Sequence, residues 1–65
     1  MEKIMTAEGF KTKQHIAKHL STFGLIAAIV DCRKCILLNI NASYYYDEVS
    51  VYQTEYVKRT GRCYQ

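Results

Sequence analysis

The chain has 65 residues, a net charge of +3 and 49% hydrophobic residues. This hydrophobic content excludes a disordered chain, and no apolar run approaches the roughly 20 residues that a membrane-spanning helix needs. A chain this short buries only about 60% of its unfolded surface, so we expect one domain over residues 1–65 that gains stability from a second subunit. The N-terminus lacks a secretory pattern, which favours a cytoplasmic protein with free cysteine thiols.

The charges are unevenly distributed along the chain. All basic side chains lie in residues 1–35 and 58–62, whereas residues 36–57 carry only acidic ones. This asymmetry suits a surface that binds an anion such as DNA. The basic end of the chain, residues 59–65, is predicted to be a flexible tail.

The first 20 residues predict a short edge strand and two short helices. Residues 1–5 alternate weakly, as a strand does. Thr6 can cap a helix, which Gly9 should keep short. Residues 13–20 place Ile16, Ala17 and Leu20 on one face at helical spacing, with Thr12 as a plausible cap.

The next segment is ambiguous. Ser21, Thr22 and Gly24 predict a break after the second helix. The apolar run that follows, residues 23–30, is too short for its periodicity to distinguish a helix from a buried strand.

Residues 36–56 predict a β-hairpin. Residues 36–40 are aliphatic and residues 41–43 have a turn composition. Residues 44–56 then alternate, with Val49 and Val51 on one side.

Residues 12–34 have the outline of a helix-turn-helix motif, with Ala17 as the small residue where the two helices would touch. Across nearly the whole chain, the sequence then resembles the Cro repressors of lambdoid phages. The resemblance rests on T-K-Q-x-x-A-K-x-L from Thr12, on Arg33-Lys34, on L-N-I-N-A from Leu38 and on Y-D-E-V from Tyr46.

This resemblance implies an α+β fold with three short helices, including the helix-turn-helix. A C-terminal β-hairpin would form a small antiparallel sheet with the N-terminal strand. It also implies a homodimer that pairs through the last strand, whose interface residues would be Glu48, Val49, Ser50, Val51 and Tyr52.

The resemblance also implies a DNA-binding set. Phosphate contacts, which position a protein without specifying sequence, are expected from Lys13, Gln14, Lys18, Arg33 and Lys34. Base contacts are expected from Thr22, Leu25, Ala28 and Ile29. Only the first of these can hydrogen-bond a base, so sequence selectivity should be weak. The basic residues could equally form a solvated helix face.

We therefore expect a dimeric, sequence-specific repressor that blocks transcription by occupying operator DNA. It would not be an enzyme and would need no cofactor, metal, membrane or small-molecule substrate. The alternative is a small α+β interaction or inhibitor protein in which residues 23–30 form a strand. A third reading is a zinc-stabilised module, because His15, His19, Cys32 and Cys35 have the ligand number of a tetrahedral site; surface histidines and free thiols are the plainer interpretation.

Overall fold

The computed structural model describes residues 4–65, which form three α-helices. Helix α1 spans Ala7–His19, α2 spans Thr22–Leu37 and α3 spans Ala42–Thr60. No strand occurs in these described residues, so the predicted α+β fold with a β-hairpin is wrong. The expected N-terminal strand falls mainly on residues 1–3, which lie outside the described residues.

Helix α1 begins at the predicted cap. The Thr6 hydroxyl accepts a hydrogen bond from the Gly9 N–H at 3.0 Å. The helix then continues without interruption to His19, and Thr12 is an internal residue whose hydroxyl donates to the Glu8 carbonyl at 3.0 Å. Glycine at position 9 lets Met5 pack close to α1, because a Cβ there would lie only 3.2 Å from Cγ of the buried Met5.

The chain does break after α1, but only at Leu20 and Ser21, because Thr22 and Gly24, which were predicted to belong to the break, lie in the first turn of α2. The Ser21 hydroxyl accepts from the Gly24 N–H at 3.0 Å and caps α2. Helix α2 includes the whole ambiguous segment 23–30 and continues to Leu37. The interpretation of residues 23–30 as a buried strand is therefore wrong, as is the predicted strand at residues 36–40.

The turn between α2 and α3 depends on two asparagines with left-handed backbones, Asn39 (φ 56°) and Asn41 (φ 47°). The N–H of Ile40 donates to the Cys35 carbonyl and the N–H of Asn39 donates to that of Ile36, at 2.9 and 3.0 Å. This pair of bonds is a Schellman motif, which satisfies the last carbonyls of α2. The chain thereby reverses direction at residues 38–41, which share only Asn41 with the hairpin turn predicted at residues 41–43.

Helix α3 lies between the other two, and both pack mainly against it. The core contains Ala17 from α1 and Val51 and Tyr52 from α3. Helix α2 contributes Leu25, Ile29 and Cys32. A helix-turn-helix instead needs its first two helices to pack on each other. The molecule is flat, with Cα extents of 35 × 25 × 15 Å, so each helix keeps a face without a neighbour.

Two arginines connect distant parts of the chain. Arg59, near the end of α3, donates to the carbonyls of Ala17 and Lys18 at 3.1 and 3.2 Å and pairs with Glu55 at 3.1 Å. It therefore satisfies backbone acceptors at the C-terminal end of α1.

Arg33 of α2 holds the segment that follows α3, where the sequence predicts a flexible tail. Its guanidinium donates to the carbonyls of Tyr64 and Gln65 at 2.6 and 2.8 Å and lies 5.4 Å from the Tyr64 ring centroid. The Gln53 amide makes two further bonds to the Tyr64 backbone, at 2.8 and 3.1 Å. The segment is thus bound along α2 and α3.

Candidate interaction surface

The main feature of the surface is an uncovered apolar face on α2, which we call the outer face. Its residues follow one another at alternating intervals of four and three, which places them in one line along a helix. They are Phe23, Ala27, Val30, Lys34 and Leu37.

Phe23 and Leu37 are 84% and 85% exposed, and Val30 is 42% exposed. Leu38, at the end of α2, is 66% exposed and extends the apolar surface. Such large apolar side chains, aligned along one helix, are more than the scattered apolar residues that every protein surface carries.

The opposite face of α2 forms the core. Leu25 and Ile29 are fully buried and Cys32 is 3% exposed. Burying a leucine or isoleucine contributes about 1.5–3 kcal/mol, so these residues fix which side of α2 faces α3. Helix α2 is therefore apolar on two sides, of which the fold covers one.

This orientation determines where the predicted base-contacting residues lie. Leu25 and Ile29 have no exposed surface and cannot reach DNA in the folded protein. Ala28 is half-buried and packs against the core. Thr22 alone is exposed, in the first turn of α2.

The predicted phosphate-contacting residues are dispersed rather than gathered. Lys13 is partly buried and pairs with a carboxylate of α3, and Arg33 is engaged by the C-terminal segment. Gln14 and Lys18 are exposed on α1, whereas Lys34 is exposed on the outer face of α2.

The predicted dimer-forming strand is part of α3, so pairing through its backbone is wrong for this fold. Glu48, Val51 and Tyr52 are buried within the protomer. Val49 is half-buried against the core and only Ser50 is exposed. This segment serves the packing of the three helices.

Glu48 lies where the three helices meet. One carboxylate oxygen is 3.4 Å from Nζ of Lys13 in α1; the other accepts from the Tyr52 hydroxyl at 3.0 Å and contacts Sγ of Cys32 in α2 at 3.6 Å. Burial, reinforced by the neighbouring carboxylate, raises the pKa of Cys32 to about 12 and moves the pKa of Tyr52 upward from its usual value near 10. Cys32 is thus a neutral, buried thiol and a poor nucleophile at neutral pH.

Two grooves flank this junction. The first, of about 280 Å³, lies between α1 and α3 and brings Lys18 and Lys58 to its wall. The second, of about 350 Å³, lies between α2 and α3 and adjoins the outer face, because Leu37 lines both. The remaining walls of the second groove are Arg33, Ile36, Tyr46, Val49 and Gln53.

The four residues considered for zinc do not form a site. His15 and His19 contact each other on α1, with ring centroids 4.6 Å apart. Cys32 is engaged with Glu48, and Cys35 is half-buried. Within residues 4–65 no group of three or more histidine, cysteine, aspartate or glutamate side chains is placed to hold a metal ion.

The outer face was not identified from the sequence, although its signal was present. Residues 23, 27, 30, 34 and 37 already show the four-three spacing, and so do the buried residues 25, 29 and 32 together with the half-buried residue 36. Two such series on one segment indicate a helix that is apolar on two sides. A surface helix needs only one apolar side, and a strand does not need residues at this spacing.

No family model, curated protein or solved structure matches this chain. The resemblance to the Cro repressors consequently rests on the motifs quoted above. Among residues 4–65, none of the helices has both the length and the apolar content needed to cross a membrane.

Proposed function

We propose that this protein is a non-catalytic interaction module that binds a helix of another polypeptide through the outer face of α2, in the cytoplasm. The observation that carries the proposal is Phe23, an aromatic residue 84% exposed at one end of a line of apolar side chains. Burying Phe23 and Leu37 in a complex would contribute about 1.5–3 kcal/mol each.

The spacing favours a helix as the bound element. Intervals of four and three residues are those of a coiled-coil seam, where each side chain inserts between four residues of a facing helix. The outer face runs nearly the full length of α2, about 24 Å at 1.5 Å per residue. A groove-binding strand or loop would not require this regular line.

The test is site-specific crosslinking in cells that express the full chain. A photoreactive phenylalanine at position 23 or 30 should give a discrete adduct, whereas the same group at the exposed Thr54 of α3 should give none. The substitution Leu37→Asp should abolish both adducts while leaving the circular dichroism spectrum unchanged. Absence of adducts at both α2 positions would refute the proposal.

The second candidate is DNA binding by the exposed basic residues, as expected of a Cro-type repressor. It is favoured by one observation: Lys18 and Lys58, from different helices, line the same groove. With Leu25 and Ile29 in the core, this binding would rest on phosphate contacts and show little sequence preference.

Gel shift with duplex DNA at increasing salt tests this second candidate. Phosphate-based affinity should fall steeply with salt and be lost in Lys18→Glu, whereas Lys11→Glu, also exposed on α1 but outside that groove, serves as the charge-matched control. A shift insensitive to salt, or equal loss in both variants, would refute binding at the groove.

A further inference from the structure

We infer that the helix bound by the outer face is α2 of a second copy of this chain, packed antiparallel to the first. This inference rests on the proposed function and names its partner. Three properties of the outer face carry it: its exposed area, the sizes of its side chains and the position of its single charge.

The exposed area reaches the lower limit of the area that a specific dimer interface buries. Phe23, Val30, Leu37 and Leu38 are between 42% and 85% exposed. A buried aromatic side chain covers about 150–250 Å² and an aliphatic one less, so these four side chains together offer on the order of 500 Å² per copy, and two copies reach the roughly 1,000 Å² at which an interface becomes specific.

The side-chain sizes complement each other when the face meets itself in the antiparallel direction. A coiled-coil register then places Phe23 of each copy beside Lys34 of the other and Ala27 beside Val30, and it brings Leu37 against the turn that precedes α2 of the other copy. The small alanine leaves room for the valine. The aliphatic stem of the lysine lies along the aromatic ring, and its ammonium group can sit over the ring face.

The charge of the face decides the direction. Lys34 is the one charged residue of the outer face. In a parallel pair the two lysines would face each other across the seam and repel, with the two Phe23 rings at the other end. The antiparallel pair places the two lysines at opposite ends of the interface, so two copies bury this face without charge repulsion only in the antiparallel direction.

The assembly state of the purified full chain tests the inference. Sedimentation equilibrium from about 5 to about 500 μM should give a dimer, since interfaces of this size range widely in affinity. Phe23→Ala should weaken dimerisation at least tenfold. Ile16→Ala, which removes an apolar side chain 40% exposed on α1, should leave it unchanged.

A disulfide test reports the direction. In a background with Cys35→Ser and Cys63→Ser, chains carrying Ala27→Cys are mixed with chains carrying Val30→Cys. An antiparallel pair should yield predominantly the mixed disulfide, whereas a parallel pair would yield disulfides between identical chains.

The outcomes separate this inference from the proposed function. A dimer that Phe23→Ala weakens, with the mixed disulfide, supports both. If the purified chain stays monomeric while position 23 crosslinks to a different protein in cells, the inferred homodimer is refuted and the proposed binding of a helix is kept. A monomer without crosslinks overturns both, and a dimer indifferent to Phe23→Ala, or one that gives only identical-chain disulfides, overturns the antiparallel α2 pair.

Discussion

Replacing Glu48 with alanine should destabilise the protein by about 2–3 kcal/mol. The carboxylate is buried and accepts from the Tyr52 hydroxyl at 3.0 Å, so its removal leaves that hydroxyl in the core without an acceptor, a cost of about 1–3 kcal/mol. The ion pair with Lys13 contributes less than about 1 kcal/mol, because the lysine side chain is 25% exposed and keeps part of its hydration.

This loss is large for a chain of this size. At about 0.05–0.15 kcal/mol per residue, the whole domain has a free energy of unfolding of roughly 3–10 kcal/mol. A change of 2–3 kcal/mol should lower the Tm by roughly 10–20 °C, given about 4–8 °C per kcal/mol for small domains. Thermal and urea unfolding followed by circular dichroism at 222 nm would measure both quantities.

Two further variants make the Glu48 experiment decisive. Glu48→Gln keeps an acceptor for the Tyr52 hydroxyl and loses only the charge, so it should cost about 1 kcal/mol. Asp31→Ala removes an exposed carboxylate from α2 and should change stability by less than about 0.5 kcal/mol. If Glu48→Ala were as mild as Asp31→Ala, Glu48 would not lie at a junction of three helices and the packing described above would be refuted.

Substitutions at three other positions probe separate features. Because the pKa of Cys32 is raised from 9.0 to about 12 in the folded protein, the thiol of the unfolded chain loses its proton at lower pH. The free energy of unfolding should therefore fall between about pH 9 and pH 12, by up to about 1.4 kcal/mol per pH unit. The urea midpoint should depend less on pH in this range in Cys32→Ala, and an unchanged dependence would contradict this. Arg33→Ala should speed amide exchange at Tyr64, measured by NMR, with little change in Tm because the arginine is exposed; unaltered exchange would show that the arginine does not hold this segment. Asn39→Gly should stabilise by up to about 1 kcal/mol, since glycine adopts the positive φ without cost, whereas Asn39→Val should destabilise; the reverse order of Tm values would rule out the turn geometry.

The sequence was informative where local chemistry decides the structure. Thr6 predicts the start of α1 because a hydroxyl at that position accepts a backbone N–H whatever the rest of the chain does. The polar cluster at Ser21 predicts the break before α2 for a similar reason. Both depend on neighbours within three residues.

The sequence predicts the wrong secondary structure where packing against other helices determines the conformation. Residues 44–56 contain valines and tyrosines, which favour strands when only local preference acts. The same residues place Tyr45, Glu48, Val49, Tyr52 and Tyr56 three and four apart, and the pairing of this face with α2 stabilises a helix instead. Nineteen residues without glycine or proline exceed the usual length of a strand, and this was the available signal for α3.

The candidate site could be predicted only in part for the same reason. The apolar character of residues 23–30 is evident from composition, but which side of the helix is free depends on where α3 lies. The sequence therefore predicts Leu25 and Ile29 as possible DNA contacts, and it does not predict that Phe23 and Leu37 are the exposed residues. The orientation of one helix separates a core residue from a binding residue.

The contact of Arg59 with the end of α1 has a consequence for the order in which the protein assembles. Helices α2 and α3 adjoin through a four-residue turn and can pair early, since their contacts close a short loop. Helix α1 gains its partners, including the guanidinium of Arg59, mainly from α3, some 40 residues along the chain. It contributes a single fully buried residue, Ala17. Helix α1 should therefore be the last of the three helices to dock, and its amides should be the first to exchange with solvent while α2 and α3 stay folded.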